Sequence, residues 1–406
     1  MNYKLNLHDF ISKKVTKRAE SLFMKDLELN KDQLAKQIYG KSILVIGGAG
    51  TIGSSFIKAT LPYEPKKIIV VDHNENGLAE LIRDLRSNPD YQLPKDLRTY
   101  PIDFGSEVFV ELLKNEGKLN IVANFAAHKH VRSEKDIFSI KAMLKNNVFN
   151  SHRLLNLLSS NPPDHFFAVS TDKAANPVNV MGASKKLMEQ IILSFQNTFK
   201  VSTARFANVA FSNGSLPDAY LKRIEKGQPL TSPKDIKRYF ISPTESGQLC
   251  LLACVLSKSG NIFFPKLDMT KELKTFTSIA EDLLAQLGFQ PEYTDSENEA
   301  KKKSKNLDLN LRKYPVYFFA SKTSGEKSFE EFYTTEEDYK LNQFNSLGVI
   351  STNNEWTLEK INKQMSQLKE QLNEENLSKE KFISILSSYV TSFQHIEKGK
   401  NLDQSM

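Results

Sequence analysis

Ser42-Ile43-Leu44-Val45-Ile46-Gly47-Gly48-Ala49-Gly50-Thr51-Ile52-Gly53 is the stretch on which the fold turns. Its continuous apolar start is the pattern of a parallel strand buried on both faces. Gly47-x-x-Gly50-x-x-Gly53 follows, and a helical stretch runs on to about Ala59. The glycines permit a tight turn and a close approach of backbone to a pyrophosphate. The helix N-terminus adds N–H donors and the positive end of its dipole. Lys67-Ile68-Ile69-Val70-Val71 reads as the next strand and ends at Asp72, 19 residues after Gly53. A carboxylate at that distance meets the ribose hydroxyls of a bound dinucleotide. The cofactor loop is therefore assigned to Gly47, Ala49, Gly50, Thr51, Ile52, Gly53 and Asp72. No arginine follows Asp72 in His73-Asn74-Glu75 to hold a 2′-phosphate, so NAD is expected over NADP. Asp103, after Tyr100-Pro101-Ile102, is placed to meet the adenine, or else serves as a turn aspartate.

The pattern continues outward. Ile121–Phe125, Phe166–Ser170 and Val201–Phe206 read as further strands. Helices are expected over Asn76–Arg86, Ile140–Ser159 and Ala183–Thr198. Strand and helix alternate, which makes the fold α/β: a doubly wound parallel sheet of the Rossmann type. Beyond about Phe211 the alternation weakens, and turn residues accumulate at Gly227, Pro229, Pro233, Pro243, Gly260 and Pro265. The expected organisation is a helical N-terminal extension (1–40) and a dinucleotide-binding core (41–210). A substrate-binding region interleaved with the core (211–335) and a helical C-terminal extension (336–406) complete it. The lysine-rich stretch 294–306 reads as a loop or an exposed helix.

Composition narrows the class. At 406 residues, 40% hydrophobic and 25% charged, the chain is long enough for a large core and too apolar to be disordered throughout. Its longest apolar run, Leu249 to Leu256, falls far short of the roughly 20 residues that span a bilayer. The first residues, Met1 to Asn6, carry no apolar signal core. Cys250 and Cys254, four apart in a helix-like stretch, read as buried thiols, so no metal site is expected. The expectation is a cytoplasmic protein. Its net charge of +7 is spread among acids without an aromatic-interleaved basic block, so no nucleic-acid partner is expected.

Two further stretches concentrate reactive side chains at strand ends. They are Asn124-Phe125-Ala126-Ala127-His128-Lys129-His130-Val131 and Ser170-Thr171-Asp172-Lys173-Ala174, the second followed by Met181-Gly182-Ala183-Ser184-Lys185. With the glycine loop, Arg205-Phe206-Ala207-Asn208-Val209 and Ser324-Gly325-Glu326-Lys327, they run in order from about residue 41 to 335. Together they resemble the extended short-chain dehydrogenase/reductases. Within these, the sequence is similar to the polysaccharide-biosynthesis nucleotide-sugar 4,6-dehydratases, whose best-known substrate is UDP-N-acetylglucosamine.

The resemblance implies roles. Such enzymes use NAD to oxidise C4 of a hexose, eliminate water across C5 and C6, and return the hydride to C6. Asp172 is implied as the acid at the C6 hydroxyl and Lys173 as the base at C5. Lys173 then needs a lowered pKa, expected from desolvation beside cations such as Lys185. Met181 stands where the superfamily carries its catalytic tyrosine, and methionine cannot transfer a proton. Thr171 is the nearest replacement at the C4 hydroxyl, with Lys185 on the nicotinamide ribose. A methionine-bearing branch exists, associated with retained configuration at C5. Ala126, Ala127 and Lys129 are implied at the cofactor, and Lys129, His130, Asn208, Ser215, Arg238 and Glu326 at the substrate. Arg238 suits a diphosphate, or is a surface arginine; Asp172-Lys173 taken alone would be a surface ion pair. Thr323-Ser324 replace the family's usual Arg-Pro. The resemblance also implies a homo-oligomer. A C4 epimerase on the same scaffold and a non-catalytic dinucleotide binder are the alternatives.

Overall fold

The structure, a computed structural model, describes residues 5–130, 134–268, 272–321, 325, 327–352, 356–374 and 377–397. The strands of its main body are β1 (Ser42–Ile46), β2 (Lys67–Asp72), β3 (Asp96–Pro101), β4 (Ile121–Asn124), β5 (His165–Val169) and β6 (Val201–Ala204). Later strands are β7 (Asn208–Val209), β8 (Leu230–Pro233), β9 (Lys237–Ile241), β10 (Asn261–Pro265), β11 (Leu273–Thr275), β12 (Gln290–Tyr293), β13 (Lys313–Phe319), β14 (Tyr339–Lys340) and β15 (Leu347–Ser351). The nine-stranded sheet runs β14-β15-β10-β6-β5-β4-β1-β2-β3. It is parallel from β10 to β3, with β15 and β14 added antiparallel at one edge. This is the doubly wound order, whose chain reversal between β1 and β4 opens a crevice at the strands' C-terminal ends.

The apolar runs become strands because both faces are covered. Ile43, Val45, Ile68, Val70 and Ala123 face one core with Phe56, Ile57 and Leu249. The alternate residues Leu44, Ile46, Ile69, Val71 and Val122 face the other with Ile140, Leu144, Leu187 and Ile191. On the first side the helices Thr51–Thr60 and Pro243–Val255 touch backbone to backbone. A Cβ on Gly247 would lie 2.2 Å from the Ser55 carbonyl oxygen, so glycine is required there. Cys250 and Cys254 are buried, free thiols on that helix, and burial pushes both pKa values up.

A smaller lobe holds the parallel sheet β12-β13-β8 and the helices Leu216–Glu225 and Phe276–Gln286. The N-terminal segment straps the two parts together. Phe10, Ile11 and Val15 pack into the small lobe with Phe211, Phe240 and Phe276. Phe23, Leu34 and Ile38 pack on the main body. Between them Arg18 grips Glu245 through two bonds of 2.8 and 2.9 Å and Glu272 at 2.6 Å.

Residues 243–265 lie with the main body as a helix and β10. Two differences from the sequence reading have simple causes. Edge strand β3 escaped notice because Asp96-Leu97-Arg98-Thr99-Tyr100-Pro101 alternates only weakly and is half-buried. The extension from 336 is not wholly helical: β15, with the apolar run Leu347-Gly348-Val349-Ile350, completes the sheet on β10. Helices Leu358–Leu372 and Lys379–Tyr389 follow, with Ile361, Met365, Leu368 and Phe382 in the second core. The stretch 294–306 forms the helix Glu297–Lys305. Among the described residues, no helix is long and apolar enough to cross a membrane.

Candidate active site

A cavity of about 1050 Å³ opens at the C-terminal ends of the strands and runs from the glycine loop to the small lobe. At the loop, Gly47 has φ +75°, and a Cβ on it would lie 2.5 Å from the Ala126 nitrogen. A Cβ on Gly53 would lie 2.4 Å from the Gly47 carbonyl oxygen. Both glycines are demanded by the fold. Gly50 is crowded only to 3.4 Å, so its lack of a side chain serves the cavity instead. It is the N-cap of the helix Thr51–Thr60 and provides no side-chain cap, which leaves the helix N-terminus facing a ligand. Asp72, 9% exposed, accepts the Ala49 N–H at 3.0 Å on one oxygen and the Asn74 N–H at 2.9 Å on the other. Its carboxylate is thereby aimed, with lone pairs left for hydroxyl donors. This cradle and carboxylate fit a dinucleotide.

Gly47, Ala49, Gly50, Thr51, Ile52, Gly53, Asp72, Asp103, Ala126, Ala127, Lys129 and Lys185 all line the cavity. Asp103 is exposed and also accepts the Gly105 N–H at 2.8 Å, so it is a turn aspartate as well as a wall residue. The segment after β4 is held by Asn147, which the sequence reading missed. Asn147 is fully buried in a π-helical turn, Lys145–Phe149, that interrupts the helical run 137–158. It exchanges two hydrogen bonds with the His128 backbone, 2.9 and 3.0 Å, and a third bond ties it to Ser184 at 3.1 Å. A π-helical turn is the signal that re-aims such a side chain, and it has no hydrophobic period to betray it. Lys129 is exposed and donates to the Asn213 carbonyl at 2.9 Å; His130 is exposed beside Gly214.

At the end of β5 the chain makes a single turn over Asp172–Ala174, capped by Thr171. One Asp172 oxygen accepts from the Thr171 hydroxyl, the Lys173 N–H and the Lys173 ammonium, each at 2.9 Å. Asp172 is 4% exposed, so this is no surface ion pair. Gly182 lets the next helix, Val180–Ser194, close on this turn: a Cβ there would lie 2.5 Å from the Lys173 carbonyl oxygen. That helix carries Met181 and Lys185 to the cavity wall. Lys185 donates to the Val169 carbonyl at 2.8 Å, and burial lowers its pKa to about 8. The C-terminal tail braces the same wall. The N–H groups of Gln394 and Ile396 donate to the Pro177 and Val178 carbonyls, both at 3.0 Å, and Gly325 N–H donates to the Ile396 carbonyl at 2.8 Å.

One expectation fails here. Lys173 was expected to have a lowered pKa beside cations. Burial and Arg238 do pull it down, but Asp172 and Glu330 outweigh them and hold it up. On the same wall it is Lys185 whose value burial lowers, and across the cavity burial also lowers Lys129.

On the substrate side, Asn208, Ser215 and Arg238 line the cavity. Ser215 also caps the helix Leu216–Glu225 by accepting the Asp218 N–H at 3.3 Å. Arg238 is 4% exposed, which removes the surface-arginine alternative. Its Nη1 donates to the carbonyls of Lys237, Lys327 and Ser328, and its Nη2 stands 3.5 Å from Glu330. Glu326 lies outside the described residues, as does Val131 of the motif. Glu330, the second missed residue, is 4% exposed, lines the cavity and stands 3.7 Å from the Lys173 ammonium. Only the fold brings it there, because nothing in Phe329-Glu330-Glu331 separates one glutamate from the next.

Comparison with known proteins agrees with this architecture. The profile of a polysaccharide biosynthesis protein family matches residues 43–352. An uncharacterised membrane protein of Methanocaldococcus jannaschii is 32% identical over 76% of this chain and 85% of its own. The capsular polysaccharide biosynthesis protein CapD of Staphylococcus aureus is 31% identical over 67% of this chain, which spans only 45% of that relative's length. An inverting UDP-N-acetylglucosamine 4,6-dehydratase of Campylobacter jejuni is 27% identical over 60% of this chain and 72% of its own. Among solved structures, Pen from Bacillus thuringiensis superimposes with a TM-score of 0.64 at 21% identity, over 79% of this chain and 90% of that one. DesIV, a dTDP-glucose 4,6-dehydratase of Streptomyces venezuelae solved with NAD, gives 0.53 at 20% identity, over 72% and 88%. A UDP-Glc/GlcNAc 4-epimerase of Campylobacter jejuni gives 0.53 at 19%, over 73% and 92%. At these identities the structures speak for the fold alone. The family match over most of the chain, on a sheet of this order, places the protein in the polysaccharide biosynthesis protein family, built on the extended short-chain dehydrogenase/reductase fold.

Proposed function

We propose that this chain is an NAD-dependent nucleotide-sugar 4,6-dehydratase. It converts UDP-N-acetylglucosamine, or a close relative, to the 4-keto-6-deoxy sugar for surface-polysaccharide synthesis. The observation that carries the reading is the Asp172–Lys173 pair, hydrogen-bonded at 2.9 Å and facing the cavity that begins at the glycine loop. Elimination across two neighbouring carbons needs an acid and a base side by side, and epimerisation does not. Asp72, with no arginine after it, favours NAD.

NAD, when bound, supplies a reversible store for the hydride that leaves C4 and arrives at C6. The protein's own groups handle the protons. Met181 has no proton to exchange. The Thr171 hydroxyl already donates to Asp172 at 2.9 Å, so a proton leaving the C4 hydroxyl has a path through Thr171 Oγ1 to Asp172 Oδ1. Asp172 then gives it to the departing C6 hydroxyl, and it ends in the released water. Lys173 takes the C5 proton and returns it. One base acting from one side returns the proton to the face it left, so C5 keeps its configuration. Lys185, buried and lowered to about 8, orients the nicotinamide ribose and stabilises charge at C4.

Incubation of the purified protein with UDP-N-acetylglucosamine, followed by NMR, tests the reading. A 4-keto-6-deoxy product with retained C5 supports it. UDP-N-acetylgalactosamine alone would assign an epimerase, and turnover of no nucleotide sugar a binding protein.

A further inference from the structure

Lys173 poses a problem that the site must solve. A base has to be neutral, yet this ammonium sits against Asp172 at 2.9 Å and Glu330 at 3.7 Å. The groups facing it are Asp172 on its own turn, Glu330 on the 327–332 segment and Arg238 on β9. Those facing Glu330 are Lys173, Asp172, Arg238 and Lys327. Asp172 is already committed to the C4 and C6 hydroxyls in the reading above. The bulk solvent is poorly placed to remove the proton, because Glu330 is 4% exposed and the Lys173 side chain 16%.

We propose that Glu330 is the proton store for Lys173: it takes the ammonium proton when substrate binds and hands it back when product leaves. The step is balanced within the pair. A Lys173 Nζ–H bond breaks, a Glu330 Oε–H bond forms, and net charge is unchanged. Substrate drives it. Glu330 stands 3.5 Å from Arg238, the arginine that the family resemblance implies at the diphosphate. A diphosphate on Arg238 cancels the cation that steadies the Glu330 anion. It does so more strongly there than at Lys173, because Arg238 contacts Glu330 directly. Burial independently pushes the Glu330 carboxyl up, against the pull of Lys173 and Arg238. Glu330 acts through Lys173, so it is a positioning residue rather than a catalytic one. The inference rests on the dehydratase reading.

The test is kcat against pH, from about 6 to 9, at saturating UDP-N-acetylglucosamine. In the native protein the internal transfer needs no exchange with solvent, so kcat does not climb with pH, and the fall that Lys185 brings above about pH 8 is common to every variant. In Glu330→Gln the Lys173 proton has to leave to solvent. Then kcat drops at neutral pH, climbs about tenfold per pH unit, and approaches the native value at the alkaline end. Glu330→Asp restores the native profile. A Glu330→Gln profile of the native shape, reduced or not, overturns the proposal, because loss of packing lowers kcat without adding a slope. If the native protein dehydrates no nucleotide sugar, the dehydratase reading is what fails. The coupling is then decided by acylation of Lys173 against pH, read by mass spectrometry. Glu330→Gln moves its midpoint down; an unmoved midpoint overturns the coupling.

Discussion

Ser170 and Asp172 are two residues apart at the end of one strand, and they enter two buried charge networks of opposite character. In one network Ser170 donates to Glu189 at 2.6 Å, and Glu189 pairs with Arg205 through bonds of 2.9 and 3.0 Å. Arg205 is fully buried and also donates to Glu337 twice at 2.7 Å and to the Phe332 carbonyl at 2.9 Å. Every donor of its guanidinium fork is thus used. On the cavity side, Asp172, Lys173, Glu330 and Arg238 form a chain of four charges whose two contacts to Glu330 stretch to 3.7 and 3.5 Å. The first network is closed in stoichiometry and geometry, so no proton can move without breaking it. The second is loose and faces open space, so its protons can redistribute. Burial alone does not separate structure from chemistry; saturation does. The motif arginine Arg205 belongs to the closed network, which ties the 332–337 segment to the helix Val180–Ser194.

Substitutions can break this contrast. The largest effect is expected on the cavity side: Lys173→Ala lowers dehydration about 10²- to 10⁴-fold, with a thermal midpoint near the native one. A native rate would remove Lys173 as the base. On the closed side, Glu189→Ala leaves the Arg205 charge with half its partners and costs about 3–5 kcal/mol in denaturant unfolding. A loss well below 1 kcal/mol would show that the network does not hold the fold. Acid sharpens the comparison. Arg205 and Lys186 outweigh burial and hold the Glu337 carboxyl at about 2, below its ordinary 4.5. Its stabilising contribution is present above about pH 4.5 and fades as pH falls toward 2. Glu337→Gln should therefore flatten the acid limb of stability between those values; an unchanged limb would refute the assignment. The smallest effect is expected at Met181→Leu, a volume-conserving change in the second core. Activity should stay within about tenfold, and its loss would give Met181 a part that methionine chemistry does not suggest.

Much of the site was legible because glycine spacing, strand ends and adjacent residues are local features. The cradle at Gly47 and Gly53, the Asp72 carboxylate and the Thr171-Asp172-Lys173 turn all lie within short stretches whose order along β1, β2 and β5 fixes where they meet. Asn147 and Glu330 were not legible. Each reaches the cavity from a segment with its own local pattern, through a π-helical turn in one case and a loop tied to the C-terminal tail in the other. Strand β15 was missed for a related reason. Its first residue, Leu347, pairs with Pro265, the last residue of β10 and 82 positions earlier, and pairing at that separation leaves no local period.

The sequence by itself determined the α/β class, the dinucleotide cradle and the presence of an acid beside a lysine, because these follow from residue type at short spacing. The tertiary structure alone decided which charges are closed and which are open. It set Glu330 and Arg238 around Lys173, so that the lysine expected to carry a lowered pKa carries a raised one. Protonation depends on the distance and burial of every neighbouring charge, and those neighbours come from segments far apart in the chain.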